Sequence, residues 1–204
     1  MKSISMNRKK RQNKYKRKSK FKNPKPNILI ICQGEKTEPN YFKGMKLFER
    51  ISNVNIEIIS SPVDPYKIIK HSLIKKRSKE YDQIWCVFDI DATTIENVNR
   101  AFTLAKRNKI RIAYSNEAFE LWYILHFEYL NITTDRKTYI DKLNKYLKNG
   151  YKKNDKNMYE ILSSNQKLAI SNSKKLFNKY SKFDPYNNNP STNVHEILEE
   201  LKEP

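Results

Sequence analysis

Apolar runs typical of β-strands alternate with segments of helical periodicity between residues 27 and 127. The apolar runs cover residues 27–33, 54–59, 83–89 and 110–114. The helical segments that follow them cover residues 39–50, 64–77, 95–107 and 117–127. Four repeats of strand and helix predict an α/β fold, in which a mainly parallel sheet is flanked by helices on both faces. In such a sheet the loops at the carboxyl ends of the strands form the binding crevice.

The remainder of the chain has a different pattern. After residue 135 there is no convincing strand, and helical segments cover residues 136–149, 166–181 and 192–202. A chain of 204 residues with 38% hydrophobic content can bury one principal core but hardly two. We therefore expect a tail over residues 1–26, an α/β core over residues 27–134 and a helical C-terminal extension, packed on the core, over residues 135–204.

The tail is the most basic part of the chain. It carries twelve Lys or Arg and no acidic residue, and it supplies most of the formal charge of +19. Like charges at this density repel one another and leave nothing to bury, so we expect the tail to be disordered. It suits binding to nucleic acid through counterion release, although an inert solvated tail is the alternative. The expected contacts are Lys9, Lys10, Arg11, Lys16, Arg17 and Lys18, together with Lys36 after the first strand.

The cysteines and the apolar runs bear on the compartment. Cys32 and Cys86 both lie inside apolar runs and are too few for a disulfide framework, so they are expected to be reduced core thiols. The longest unbroken apolar runs, such as Ile28 to Cys32, are far short of the roughly 20 residues that cross a bilayer. These features favour a cytoplasmic protein that neither spans nor binds a membrane.

Polar side chains follow the first and third strands at the points where each strand ends. The first strand runs into Gln33, Glu35 and Glu38, and the third into Asp89 and Asp91. If the strand order is flavodoxin-like, these strands are neighbours and their polar ends meet. Carboxylate oxygens suit Mg²⁺ or Mn²⁺, which also accept a substrate phosphate. The alternative is that the two aspartates only begin a solvated loop or cap the next helix.

Four blocks of sequence carry a resemblance to a known family. They read QGEKTEPNYF, DQIWCVFDID, IAYSNEAFELWYILHF and NPSTNVHEILEEL, and they span nearly everything after the tail. In this order and spacing they resemble the RloB family, which includes the AbiLii-type abortive-infection proteins. The resemblance implies a Toprim-like (Rossmann-like) α/β domain that binds Mg²⁺ for phosphodiester chemistry on nucleic acid. It also implies a role in bacterial anti-phage defence, often beside an AAA-type ATPase.

The resemblance assigns roles to the residues at the strand ends, with one departure. Asp89 and Asp91 match the D-x-D that holds the metal, but Gln33 stands where the family usually has an acid before the glycine. Glutamine can offer its carbonyl oxygen to a metal, but it cannot accept a proton and adds no charge. Either Glu35 or Glu38 is then expected to act on the attacking water, or the site is weakened.

Two further residues are candidates for an accessory role. Glu120 lies within the apolar segment 117–127 and either faces the metal site or is a partnered structural acid. His195 follows Thr192 and Asn193, either of which is a plausible N-cap of the last helix. The exposed amides there suit a phosphate, to which His195 can donate, but a surface histidine beside an ordinary cap is the simpler interpretation.

Three functions are compatible with these features. The first is a metal-dependent endonuclease that hydrolyses DNA or RNA as the effector of a defence system. The second is a non-catalytic subunit that binds nucleic acid or regulates an ATPase, for which Gln33 would mark lost chemistry. The third is a phosphatase of the haloacid-dehalogenase kind, because DIDAT fits D-x-D-x-T. That motif belongs after a first strand, whereas here it follows the third, so the phosphatase ranks last.

Overall fold

A computed structural model describes residues 25–90 and 93–202 of the protein. Within these residues the strands are β1 (Asn27–Cys32), β2 (Asn55–Ser60), β3 (Gln83–Asp89), β4 (Arg111–Asn116) and β5 (Ser191–Thr192). They form one sheet in the order β2, β1, β3, β4, β5. The first four are parallel, and β5 runs antiparallel beside β4. The predicted α/β fold is therefore confirmed, and β1 lies beside β3 as the predicted site requires.

Helices cover both faces of this sheet. Within the described residues the α-helices are α1 (Thr37–Phe48), α2 (Pro65–Ser78), α3 (Ile95–Asn108), α4 (Glu120–Ile124), α5 (Arg136–Tyr146), α6 (Met158–Leu162), α7 (Gln166–Phe177) and α8 (Val194–Lys202). Helices α2 and α3 pack on one face, while α1 and the helices from α4 onward pack on the other. The C-terminal portion is thus mainly helical and shares its core with the sheet.

The central strands are apolar along their length because both of their faces are buried. In β1, Ile28, Ile30 and Cys32 point toward α1 and the C-terminal helices, while Leu29 and Ile31 point toward α2 and α3. All five side chains are at most 3% exposed. This two-sided burial explains the unbroken apolar run that identifies the strand in the sequence.

An aromatic cluster fixes the helices that border the predicted site. The ring of Tyr41 on α1 meets those of Phe42, Phe119, Trp122 and Tyr159 edge-on, at centroid distances between 5.1 and 6.4 Å. Edge-to-face pairs of this kind contribute about 0.5–1.5 kcal/mol each beyond their burial. The cluster therefore holds α1 firmly against α4 and α6.

The prediction that no strand follows residue 135 is wrong. Ser191 and Thr192 form β5, which pairs with Ser115 and Asn116 at the end of β4. The side chain of Asn193 continues the pairing, because its Oδ1 accepts from the Tyr114 amide at 2.8 Å and its Nδ2 donates to Ile112 O at 2.9 Å. The Asn193 side chain is therefore engaged with β4, while its carbonyl oxygen accepts from the Glu196 amide at 3.0 Å at the start of α8. A strand of two polar residues has no periodicity to detect.

The other elements differ from the predictions mainly in their ends. Most bounds shift by one to four residues, α6 was not predicted, and the apolar segment 117–127 holds only the short helix α4, followed by turns. In the segments 25–90 and 93–202, no helix is long and apolar enough to cross a membrane. The tail contacts from Lys9 to Lys18, and Asp91, lie outside the described residues.

Candidate functional site

Gln33 joins the carboxyl ends of β1 and β3. Its amide donates to Val87 O at 2.8 Å, which continues the ladder between the two strands. Its side-chain Oε1 in turn accepts a hydrogen bond from the amide of Asp89 at 3.1 Å. The amide side chain therefore fixes the backbone from which the Asp89 carboxylate projects. In this position the glutamine side chain has a structural role, for which a neutral hydrogen-bond acceptor is sufficient.

A cavity of about 180 Å³ lies at this edge of the sheet. Its walls come from the loop after β1, the start of α1, the end of β3, the segment at α4, and the C-terminal portion of the chain. The lining residues are Gln33, Gly34, Thr37, Glu38, Asp89, Phe119, Glu120, Arg136 and Lys153. Three carboxylates, one amide oxygen and two cationic side chains therefore border the same small space.

Glu38 is buried in the first turn of α1, with 4% of its surface exposed. Its Oε1 accepts a hydrogen bond from the Gly34 amide at 3.2 Å. Residue 34 has to be glycine for this arrangement, because a Cβ there would overlap the Glu38 carboxylate. Burial raises the pKa of Glu38, and the nearby charge of Glu120 raises it further, while hydrogen bonds and Lys153 oppose the shift. Glu38 therefore keeps its proton to a higher pH than an exposed glutamate does.

Glu120 is more deeply buried, with 2% exposure, and its carboxylate is held by two partners. The hydroxyl of Tyr151 donates to Oε1 at 2.8 Å, and the guanidinium Nε of Arg136 lies 3.7 Å from Oε2. A buried carboxylate requires such partners, because removal from water is otherwise costly. Glu120 is therefore a partnered acid that also lines the cavity, and its accessory role at a metal site stays a prediction.

Arg136 joins the two acidic sides of the cavity. Its Nη2 lies 2.5 Å from Oδ2 of Asp89, in addition to the contact between its Nε and Glu120. Arg136 is the first residue of α5, whose N-cap Asp135 accepts from the Thr138 amide at 2.8 Å. The cap fixes the start of the helix and thereby the position from which the guanidinium reaches the cavity.

The other predicted site residues lie elsewhere. Glu35 and Lys36 are exposed in the loop between β1 and α1 and do not line the cavity. His195 is 5% exposed, and its Nδ1 lies 2.7 Å from the hydroxyl oxygen of Ser173 on α7. Burial lowers the pKa of His195 to about 4. The expectation of a surface histidine is therefore wrong, since the side chain extends from α8 and packs against α7.

The comparison with known families decides the classification of the chain. The model of one family, described as RloB-like protein, matches residues 28–201. The chain belongs to the RloB-like protein family. The match covers both the sheet and the C-terminal helices, so every described residue of the cavity lies within the RloB-like region. A search of the curated proteins found no match.

The donor set of this RloB-like protein is chemically suited to a hard divalent cation. Asp89 and Gln33 offer oxygen atoms at the strand ends, and Glu38 and Glu120 add carboxylates in the same cavity. Among the described residues no three His, Cys, Asp or Glu side chains converge tightly enough to form a metal site, and Asp91 is not among those residues. The metal therefore remains a prediction that the donor chemistry supports.

Sequence reasoning missed the cationic half of the cavity. Arg136 and Lys153 come from the helical extension, and Tyr151, which holds Glu120, comes from the same loop as Lys153. In a chain with 41 Lys and Arg, no pattern distinguishes these two. The one available indication was the position of Arg136 directly after a good N-cap, which identifies a helix start but not what the side chain reaches.

Proposed function

We propose that this RloB-like protein is a Mg²⁺-dependent nuclease that hydrolyses phosphodiester bonds of DNA or RNA. Mn²⁺ is expected to replace Mg²⁺ because it accepts the same oxygen ligands. The observation that carries the proposal is the cavity at the ends of β1 and β3, where Asp89, Glu38 and Glu120 meet Arg136 and Lys153. Such a mixture of acids and cations suits a phosphate group, a water and a metal ion in one space.

Three side chains are expected to hold the metal. Asp89 and Asp91 would be its carboxylate ligands, and the carbonyl oxygen of Gln33 would assist them. Bound there, the cation would polarise the phosphate and stabilise the charge that develops on the leaving oxygen. The hydrogen bond from the Asp89 amide to Gln33 supports this assignment, because it brings the two strand ends together before any ligand arrives.

Glu38 is the proposed general base. Its raised pKa and its place in the cavity wall suit the removal of a proton from water as the water oxygen attacks phosphorus. The bond between phosphorus and the leaving ester oxygen then breaks, and that oxygen takes a proton from solvent. Glu35, the alternative base, is exposed and outside the cavity wall.

Arg136 and Lys153 are proposed to bind the phosphate. A guanidinium matches two non-bridging phosphate oxygens, and the Lys153 ammonium adds a point charge. In the structure Arg136 contacts Asp89 and Glu120, so it balances their charge when no phosphate is present. When substrate and metal bind together, the metal can neutralise Asp89 and Glu120 in place of Arg136. The guanidinium of Arg136 is then available to contact the phosphate.

The biological setting follows from the family resemblance. We propose a Toprim-type domain that acts as effector in bacterial anti-phage defence, in the cytoplasm and beside an AAA-type ATPase. The basic tail, with the residues from Lys9 to Lys18, and the exposed Lys36 would bring nucleic acid to the protein.

A cleavage assay tests the nuclease proposal. Purified protein is incubated with single-stranded DNA, duplex DNA and structured RNA, in Mg²⁺, in Mn²⁺ and in EDTA. We expect cleavage that depends on the metal and is lost in Asp89→Asn, while Asp141→Asn on the exposed side of α5 behaves as the parent. Cleavage that survives in EDTA or in Asp89→Asn would contradict the proposal.

A non-catalytic role is the second candidate, and two observations favour it. Gln33 supplies no charge where the family usually has an acid, and Arg136 already neutralises Asp89. In that case the protein would bind nucleic acid or regulate an ATPase without cutting. Cleavage after metal is added distinguishes the two candidates. Both would bind nucleic acid in EDTA, but the non-catalytic subunit would leave it intact when metal is added.

A further inference from the structure

A second concave surface lies on the opposite helical layer, between α2 and α3. This α2/α3 groove has a volume of about 530 Å³ and is lined by side chains of α3 together with Tyr66 of α2. Its walls include the ring of Tyr66 and the aliphatic side chains of Ile95 and Leu104. Ile95 is 47% exposed, so a large apolar side chain faces solvent beside an aromatic ring.

Two cationic side chains lie over the ring of Tyr66. The guanidinium carbon of Arg100 lies 4.1 Å from the centroid of the Tyr66 ring, and the ammonium of Lys70 lies 5.7 Å from it. Tyr66 is half-buried at the start of α2 and is held in place by the helix, while Arg100 is exposed. Nucleobases stack on aromatic rings and on guanidinium planes, so this pair is a platform that a base can extend.

The helices around the groove are strongly basic. Helix α2 carries five Lys or Arg and no acidic residue, and α3 carries three against the single acid Glu96. Arg100 and Arg107 line the groove together with Glu96, whose Oε1 lies 3.6 Å from Nη1 of Arg100. Apolar walls with a cationic rim complement a ligand that has flat apolar faces and a negatively charged backbone.

One end of the groove, at Tyr66 and Ile95, lies at the same edge of the sheet as the candidate site. Because β2 and β3 are parallel, α2 and α3 both begin at the carboxyl edge where Asp89 lies. Ile95, at the start of α3, follows Asp89 by six residues. A strand held in the groove can therefore continue over this edge toward the cavity.

We propose that the α2/α3 groove binds single-stranded nucleic acid, with a base stacked at Tyr66 and phosphates contacted by Arg100 and Arg107. A single strand is favoured over a duplex because the faces of paired bases are hidden within the helix. An acidic protein segment would pair with Arg100 and Arg107 but has no base to stack at Tyr66. That the strand is also a substrate rests on the proposed nuclease function, whereas binding in the groove does not.

Binding and cross-linking to the full chain test this proposal. The probe is a fluorescent single-stranded oligonucleotide of about 20 nucleotides that contains 5-iodouracil, used in EDTA so that no metal-dependent cutting intervenes. About 0.3 M salt weakens the contribution of the basic tail. Anisotropy gives the affinity, and ultraviolet cross-linking followed by mass spectrometry identifies the peptide that contacts the base.

We expect the cross-link in the peptide that contains Tyr66. Tyr66→Ala should weaken binding by roughly 5- to 150-fold, while Tyr66→Phe keeps the ring and stays within about twofold of the parent. Arg100→Gln and Arg107→Gln should each lower the salt slope by about 1. Arg77→Gln is the matched control, because it removes an exposed charge from the far end of α2, outside the groove.

Several results would overturn the proposal. These are cross-links confined to other peptides, equal losses for Arg77→Gln and Arg100→Gln, or a Tyr66→Ala variant that binds as the parent does. Thermal melting shows whether Tyr66→Ala is folded, and if it is not, the arginine variants and the cross-link decide. Asp89→Asn should keep the cross-link even though cleavage is lost. If the protein cross-links at Tyr66 but cleaves no nucleic acid, the proposed nuclease function is wrong and the proposed binding in the groove still holds.

Discussion

Arg136 should be a major contributor to stability because it partners two acids in the cavity. In Arg136→Met the side chain keeps much of its length but loses its charge, which leaves Asp89 and Glu120 without this cation. Removing one partner of a buried ion pair costs about 3–5 kcal/mol. The Arg136 side chain is 34% exposed and that of Asp89 15%, so solvent screens part of the interaction. We therefore expect a loss of about 2–3 kcal/mol.

Thermal melting measures this loss. For a chain of this length, 1 kcal/mol corresponds to about 2–4 °C, so Arg136→Met should melt roughly 4–12 °C below the parent. In the Asp89→Asn background the same change should cost less by about 1–3 kcal/mol, because the charge it leaves behind is already gone. Arg77→Met is the control, and as an exposed substitution it should stay within about 0.5 kcal/mol of the parent.

Divalent metal gives a second measurement on the same variants. If a cation binds among the acids, Mg²⁺ should raise the melting temperature of Arg136→Met more than that of the parent, because it replaces the missing positive charge. Two results would refute the role of Arg136 as the partner of these carboxylates. One is an Arg136→Met protein with the melting temperature of the parent. The other is a loss of stability from Arg136→Met that is equally large with and without Asp89→Asn.

Four further results are expected. Gly34→Ala should displace the Glu38 carboxylate and reduce cleavage far more than melting temperature, as initial rates beside thermal melts would show. Because folding raises the pKa of Glu38, its protonated form contributes to the free energy of unfolding. This contribution is fully present below about pH 4.5 and is lost as the pH rises through the pKa of the folded state. Glu38→Gln should remove this loss, which appears as a pH-dependent difference in unfolding free energy between variant and parent. Gln33→Glu should tighten Mn²⁺ binding in calorimetry if the native site is attenuated, and gain little if Glu38 already suffices. Deletion of residues 1–24 should weaken nucleic-acid binding and flatten its salt dependence, and an unchanged salt slope would mark the tail as incidental.

The sheet was predictable because its central strands are buried on both faces. Ile28 to Cys32 form a continuous apolar run that only a covered strand or a buried helix explains, and the following helical segment decides between them. The same reasoning fails for Ser191 and Thr192, where pairing depends on the neighbouring β4 and on Asn193. A strand that short is determined by its tertiary partners and leaves no local pattern.

The acidic residues that line the candidate cavity could be predicted from the sequence, and its cationic residues could not. Strand ends identify Gln33 and Asp89, since parallel neighbours bring their carboxyl ends to one edge. The choice between Glu35 and Glu38 required the structure, because α1 begins at Thr37 and thereby buries Glu38 while Glu35 stays in the exposed loop. Arg136 arrives from a segment more than 40 residues away along the chain, and only packing of the helical extension brings it to Asp89.

A direct titration of Mn²⁺ into the protein tests the central claim, that a divalent cation binds beside Asp89. Calorimetry compares the parent with the Asp89→Asn, Asp91→Asn double variant and with Asp141→Asn as the control for one lost surface charge. We expect one site in the parent and in the control, tighter binding in Arg136→Met, and no binding in the double variant. Equal Mn²⁺ affinity in the parent and the double variant would show that the metal, if it binds at all, lies elsewhere, and the proposed catalytic centre would be wrong.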